Sequence, residues 1–308
     1  GIDNTTVGHN SLKTNTTGAS NTALGQAALQ FNTTADNNTA IGKGALTLNT
    51  TGAKNTAVGY NSLDANTTGE NNTSIGGGAL SSNTTADDNT ALGYSALNAN
   101  TTGQYNTAVG KDALAANTTV SANTAVGYQA LAVTTTGDDN TSVGAYSMDA
   151  NTSGHDNVAF GKSALGACTT GDWNVAIGRE AVLSSTTGSS NTGVGAKALS
   201  TATTGGGNNA FGIDAGVAVT TGGDNVLMGM NSGRTITTGN RNVCLGRYAG
   251  KDQIITGDEQ LYIARSDSAH ANASTWIYGN SSGNCYQGSN NSSWATTSDR
   301  RLKKNIVN

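Results

Sequence analysis

The sequence predicts an all-β fold: a parallel β-solenoid, or β-roll, of fifteen 17-residue coils. Three observations carry the prediction. Asn-x-x-x-Gly recurs with asparagine at 4, 21, 38, 55, 72, 89, 106, 123, 140, 157, 174, 191, 208, 225 and 242, spaced by 17 residues without one insertion. A globular domain tolerates loop insertions, whereas coils that stack directly on their neighbours do not. The 308 residues include 42 glycines and no proline, against about 5% proline in an average chain. A continuous backbone ladder would lose a donor wherever proline fell. Charged residues make up only 12%, about half the usual share, which speaks against ordinary disorder, and the lack of a Gly-X-Y period excludes collagen.

The best-formed unit, 55–71, reads NTAVGYNSLDANTTGEN. Numbering its positions 1 to 17, position 1 is asparagine and position 5 glycine in all fifteen units, and position 4 is always apolar. Position 3 is small except at Leu227, position 8 is Ala or Ser, and position 9 is Leu, Met or Val until Gly216, Gly233 and Gly250 replace it. Seventeen residues is too short for a helix-turn-helix repeat, and Thr-x-Val followed by glycine favours strands. The unit therefore reads as two short strands, near positions 1–4 and 8–13. Turns at the position-5 glycine and at Thr-Thr-Gly join them, with glycine supplying positive φ at both corners. Asparagine on every rung predicts an amide ladder, and fifteen rungs predict a rod of roughly 70 Å. The Asn-x-Thr tripeptides belong to the repeat and are not read as glycosylation sites.

Side-chain energetics predict association. Positions 4 and 9 offer about 3–5 kcal/mol per coil if buried, and backbone hydrogen bonds add about 1 kcal/mol each. Ordering seventeen residues costs roughly 25 kcal/mol, so a lone rod is marginal. Positions 2 and 4 face one way and 1, 3 and 5 the other, so parallel copies packed side by side would use both faces.

Several function classes recede. A net charge of −4 gives no electrostatic footprint for nucleic acid or an anionic membrane, and no apolar run approaches the ~18 residues of a membrane span. Cys168, Cys244 and Cys285 are odd in number and far apart, so they form neither a disulfide framework nor a metal or redox motif. His9, His155 and His270 fall on separate parts of the rod, which disfavours a triad or a histidine metal site. The repeat accounts for most of the glycines without a phosphate loop, and no cofactor is expected. The chain starts at Gly1 without a signal peptide, which reads as a fragment or processed product.

After the fifteenth unit the period slips by one residue, with glycine at 257, and fades through Gln260–Ala264. Three regions follow: a repeat shaft at 1–257, a β-rich trimerising segment at 258–297, and a distinct terminus at 298–308. Thr275–Asn280 (TWIYGN) reads as a strand running into a turn. Ser298-Asp299 precedes the basic, helix-compatible run Arg300–Ile306, an N-cap pattern.

The order of parts, NTTGxxNTAVG repeats, LYIA, WIYGN and then SDRRLKKNI, resembles phage tail fibres and tailspikes that end in the self-cleaving intramolecular chaperone of endosialidase. The pattern Ser-Asp-x-Arg-Leu-Lys-x-Asn-Ile is met at every fixed position from Ser298 to Ile306. The resemblance implies assembly as a homotrimer, then cleavage of the Ser298-Asp299 bond with Ser298 as nucleophile and Lys303 as base, chemistry that a lysine of depressed pKa can support. The chain stops ten residues past that bond, so cleavage is expected only in a full-length precursor. The repeat is also similar to the heads of trimeric autotransporter adhesins, in which three β-rolls pack together.

The predicted function is thus a structural, adhesive tail-fibre rod on the virion, or alternatively a cell-surface adhesin. Its partners would be itself, a host glycan or receptor, and other tail proteins through a preceding segment. Aromatic residues at outward positions, Tyr60, Tyr94, Tyr128, Tyr146, Trp173 and Tyr248, are candidates for stacking on sugars. Asp139, Asp156 and Asp172 lie on successive coils, where they would suit a calcium ion or a carboxylate pair for glycan hydrolysis, or form a solvated edge. An ice-binding solenoid, motivated by the threonine ladders, and a polysaccharide depolymerase are the alternative functions.

Overall fold

The computed structural model describes residues 1–251, 257–264, 275–279, 282 and 285–287. Fifteen three-residue strands, β1 (Thr5–Val7) to β15 (Val243–Leu245), occupy positions 2–4 of the fifteen coils. They pair in parallel at a constant offset of seventeen: Thr39 with Thr56, Ala40 with Ala57 and Ile41 with Val58. A sixteenth parallel strand, β16 (Leu261–Ala264), sets Leu261 against Val243, an offset of eighteen that absorbs the slip at Gly257. Gln260 takes the asparagine's place there, its N–H donating to Asn242 Oδ1 at 2.9 Å. Two antiparallel strands, β17 (Thr275–Gly279) and β18 (Cys285–Gln287), continue the sheet, so the TWIYGN strand forms where expected.

The single sheet alternates as a strand must. Position 3 points inward, with Ala40, Ala57, Ala91 and Ala108 fully buried. The inner layer is completed by positions 8 and 9, where Ala45, Leu46, Leu63 and Leu80 are fully buried. Position 4, counted with position 9 as one of the two sizeable side chains a coil could bury, faces out instead.

The second strand does not form. Positions 8–13 wind through turns, because positions 7 and 9 adopt left-handed backbone: Ala27 has φ 60° and Leu29 φ 49°, and Leu46, Leu80, Leu97 and Leu131 repeat the leucine geometry. An L-residue in that region costs about 1–2 kcal/mol, and full burial of leucine returns about 1.5–3 kcal/mol, so the inward turn is sustainable. The backbone ladder persists without the pleat. Leu29 N–H donates to Ala45 O of the next coil at 3.0 Å and Phe31 N–H to Thr47 O at 3.1 Å. On either side of them, Ala28 and Asn32 N–H close turns on Gly25 O and Leu29 O of their own coil.

The two glycine corners differ. Position-5 glycines run at φ of +112° to +142°, open only to glycine, and a Cβ on Gly59 would sit 2.6 Å from Gly76 O. Position-15 glycines are not in the positive region, contrary to the expectation for that turn; the left-handed residue there is position 17, as at Lys54 (59°), Asn71 (57°) and Asp88 (59°). Glycine at position 15 answers a close approach instead. A Cβ on Gly69 would stand 2.4 Å from Ala86 O and 2.5 Å from Asn66 Oδ1.

Two asparagine ladders converge on that corner. In the expected one, at position 1, Asn55 N–H donates to Asn38 Oδ1 at 2.9 Å while Asn55 Nδ2 donates to Gly69 O at 2.8 Å. A second runs along position 12, where Asn66 Nδ2 donates both to Asn49 Oδ1 at 2.8 Å and to Gly69 O at 2.9 Å. From Asn21 and Asn32 onward both sets are fully buried, so each of those amides must find its partners inside the rod.

Candidate functional site

The most extensive surface feature is the outer face of the sheet. Position 4 sets fifteen apolar side chains in one unbroken row from Val7 to Leu245, at the register of the parallel strands. Eight of them, Val7, Leu24, Ile75, Leu92, Phe160, Ile177, Phe211 and Met228, are between 37% and 60% exposed. The row presents apolar area on the order of 1,000 Å², where the largest patch on an ordinary monomer is about 300–600 Å². Covering it is worth roughly 25 kcal/mol of gross transfer free energy, more than the approximately 4–15 kcal/mol that association costs. Beside it, position 2 sets threonine on nine consecutive rungs from Thr5 to Thr141.

The sugar-stacking candidates fall into separate settings. Tyr60 and Tyr94 flank a notch over Gly77 and Gly78. Lys43 Nζ lies 6.0 Å from the Tyr60 ring, and Lys111 Nζ lies 6.0 Å from Tyr94 and 5.7 Å from Tyr128. Tyr128 and Tyr146 pack edge to face at 5.1 Å. Trp173 meets the ring of His155 edge-on at 5.8 Å, and Tyr248 lies 4.6 Å from both Arg247 and Lys251. The sequence expectation omitted Tyr105, which is 62% exposed; its place at position 17, the same as that of Trp173, was the available signal.

The acidic candidates are organised by a histidine. His155 Nδ1 lies 3.0 Å from Asp156 Oδ2 and Nε2 lies 3.5 Å from Asp172 Oδ2, while His155 N–H donates to Asp172 Oδ1 at 3.0 Å. The hydrogen bond to Asp156 chiefly raises the imidazole above its usual pKa, aided by the charges of Asp172 and Asp138 and opposed by partial burial. Among the described residues no group of three or more His, Cys, Asp or Glu is arranged to hold a metal ion. The calcium site sketched on Asp139, Asp156 and Asp172 is therefore not formed, since two of its carboxylates are turned onto His155.

Two cysteines are core residues. Cys168 occupies position 12 and points its Sγ at Gly171 O at 3.5 Å, where other coils have an asparagine amide. Burial pushes its thiol up to about 11 and that of Cys244 to about 12. Ser298, Asp299 and Lys303 lie outside the described residues. The geometry defines a parallel β-solenoid with an apolar outer sheet face. Compared with protein-family models, with curated proteins and with solved structures, the chain matches none.

Proposed function

We propose that this chain is the shaft of an extracellular fibre, a rod that packs in parallel with two further copies through the outer face of its sheet. The observation that carries the reading is the unbroken position-4 row, too long and too apolar for an isolated soluble rod. Parallel packing sets equal rungs beside one another, so every coil contributes the same contact. The threefold count, the place in a phage tail fibre and maturation by cutting at Ser298-Asp299 rest on the resemblance of the terminal motif.

Mass measurement in solution tests the core of it. A trimer of roughly 92 kDa, three times the 30.8 kDa chain, is expected. Replacing Leu92, Phe160 and Ile177 together by serine should release monomers that keep their circular dichroism. A wild-type monomer at the single-chain mass would overturn the reading.

One observation favours a second reading: nine consecutive threonines in one in-register ladder are a regular hydroxyl array of the kind an ice-binding face needs. Thermal hysteresis by the purified rod would support it. The varied size of the position-4 partners, from Val143 to Phe160, favours packing against protein instead.

A further inference from the structure

Coil 5 departs from its neighbours at positions 6 and 7, where Gly77 and Gly78 stand in place of the Tyr60-Asn61 pair of coil 4 and the Tyr94-Ser95 pair of coil 6. Neither glycine is demanded by the fold. A Cβ on Gly77 would meet only the Tyr94 ring, at 3.6 Å, and one on Gly78 only Ser95 Oγ, at 3.9 Å, both ordinary contacts. The left-handed backbone of Gly78, φ +64°, is adopted at the same position by Ala27, Asn61, Ser95, Asp112 and Gln129.

What the two glycines do is open a notch of about 340 Å³. Its rims are Tyr60 and Tyr94, 60% and 63% exposed. They sit two rungs apart, roughly 9–10 Å, which leaves room for one six-membered ring at carbon contact distance, about 4 Å, from each side. Asp64 and Ser81 line the same space. The Asp64 carboxylate forms no ion pair among the described residues, and burial raises its pKa, so it is a partly desolvated acceptor.

We propose that this notch binds a neutral hexopyranose unit of a polysaccharide, with the sugar's apolar C–H faces against Tyr60 and Tyr94 and its hydroxyls donating to Asp64. Aromatic rims with a carboxylate floor would also suit an organic cation. Lys43 and Lys111, on the outer sides of the two tyrosines, oppose a positive ligand and leave a neutral one favoured. The notch is built on positions 6, 7 and 10, none of which belongs to the sheet that carries the apolar row.

The test uses the full chain with glucan, galactan and mannan tetrasaccharides, followed by saturation-transfer NMR and calorimetry. At least one tetrasaccharide should bind at millimolar concentration or below, with Tyr94→Ala weakening it roughly 3- to 10-fold and Asp64→Asn weakening it as well. Gly77→Tyr combined with Gly78→Asn fills the notch with the side chains of coil 4. It should abolish binding while leaving thermal unfolding unchanged. No saturation transfer from any tetrasaccharide, tetramethylammonium binding in their place, or undiminished sugar binding by the filled variant would each overturn the proposal. Because the rod's mass is read separately, a negative result here leaves the association reading standing.

Discussion

The position-12 ladder contains one break, and repairing it should stabilise the rod. From Asn32 to Asn117 each amide donates to the Oδ1 of the preceding coil, as Asn83 does to Asn66 at 2.8 Å and Asn117 to Asn100 at 3.2 Å. In coil 8 the position is Thr134, whose hydroxyl donates to Asn151 O at 3.1 Å and not to Asn117. Asn117 Oδ1 is therefore left buried without a partner. At the ladder's end the same problem is solved locally, since Gly154 N–H donates to Asn151 Oδ1 at 3.0 Å; in coil 7 the corresponding residue is Val120. Thr134→Asn would return a donor to Asn117 Oδ1, a second donor to Gly137 O, and an acceptor for Asn151 Nδ2. A buried orphaned acceptor costs about 1–3 kcal/mol. Set against the lost threonine hydrogen bond, the net gain is about 1–2 kcal/mol, seen as an increase of a few degrees in Tm and slower amide exchange in coils 7–9. The reverse substitution, Asn83→Thr, orphans Asn66 Oδ1 and should cost a similar amount. If Thr134→Asn left the unfolding midpoint unchanged or lowered it while Asn83→Thr cost nothing, the ladder would not be the source of stability argued here.

Leu97→Ala, at a fully buried position 9, should cost about 2–5 kcal/mol, whereas Leu92→Ala on the outer row should change monomer stability by less than about 0.5 kcal/mol and weaken association; paired denaturation and mass measurements separate the two. His155 should titrate above 6.5 by NMR, because Asp156 hydrogen-bonds its ring. The raised pKa means that its stabilising contribution is complete below the unfolded value near 6.5 and is lost as pH rises through the folded value; Asp156→Asn should bring the titration back down, and an unmoved midpoint would reject the assignment. Cys168 and Cys244, with thiols raised to about 11 and about 12 by burial, should resist iodoacetamide in the folded rod and react once it unfolds. Ser232→Ala should be neutral or stabilising by up to about 1 kcal/mol in equilibrium unfolding, because the buried hydroxyl it removes has no partner.

The period, the sheet register, the position-1 ladder and the position-5 corner were legible because each rests on a residue type with one physical use at that place. The second strand was misread because Leu46 and Leu97 look like strand residues by propensity, and propensity yields to packing where a left-handed turn carries the side chain inside. The role of Gly69 was misassigned for a related reason. Glycine serves both positive φ and close approach, and only the neighbouring coil's carbonyl distinguishes them. The position-12 ladder had a signal, the recurrence of asparagine at 15, 32, 49, 66, 83, 100 and 117, but the Asn-Thr-Thr-Gly string presents it as part of a turn. The Tyr60–Tyr94 notch was visible only as a gap, two glycines where coils 4 and 6 have larger residues.

Inner and outer positions drift differently along the rod. Position 12 passes from the asparagines to Cys168, Ser185, Ala202, Val219 and Ile236, all buried, while position 9 loses its leucine at Gly216 and Gly233. Leu227 compensates at position 3, since a Cβ on Gly216 or Gly233 would lie 2.5 Å from its methyl groups. Volume is thus traded between positions at nearly constant total, as close packing requires. The interior accepts amide, thiol, hydroxyl or methyl provided the cross-section is filled. Position 4 faces no such internal constraint, and threonine or asparagine would serve the strand there as they do at Thr192 and Asn209 on position 2. It nevertheless stays apolar from Val7 to Leu245 while the core behind it changes character. A pattern that the chain's own packing does not require supports the proposal that a second copy, offering the same row at the same spacing, packs against that face.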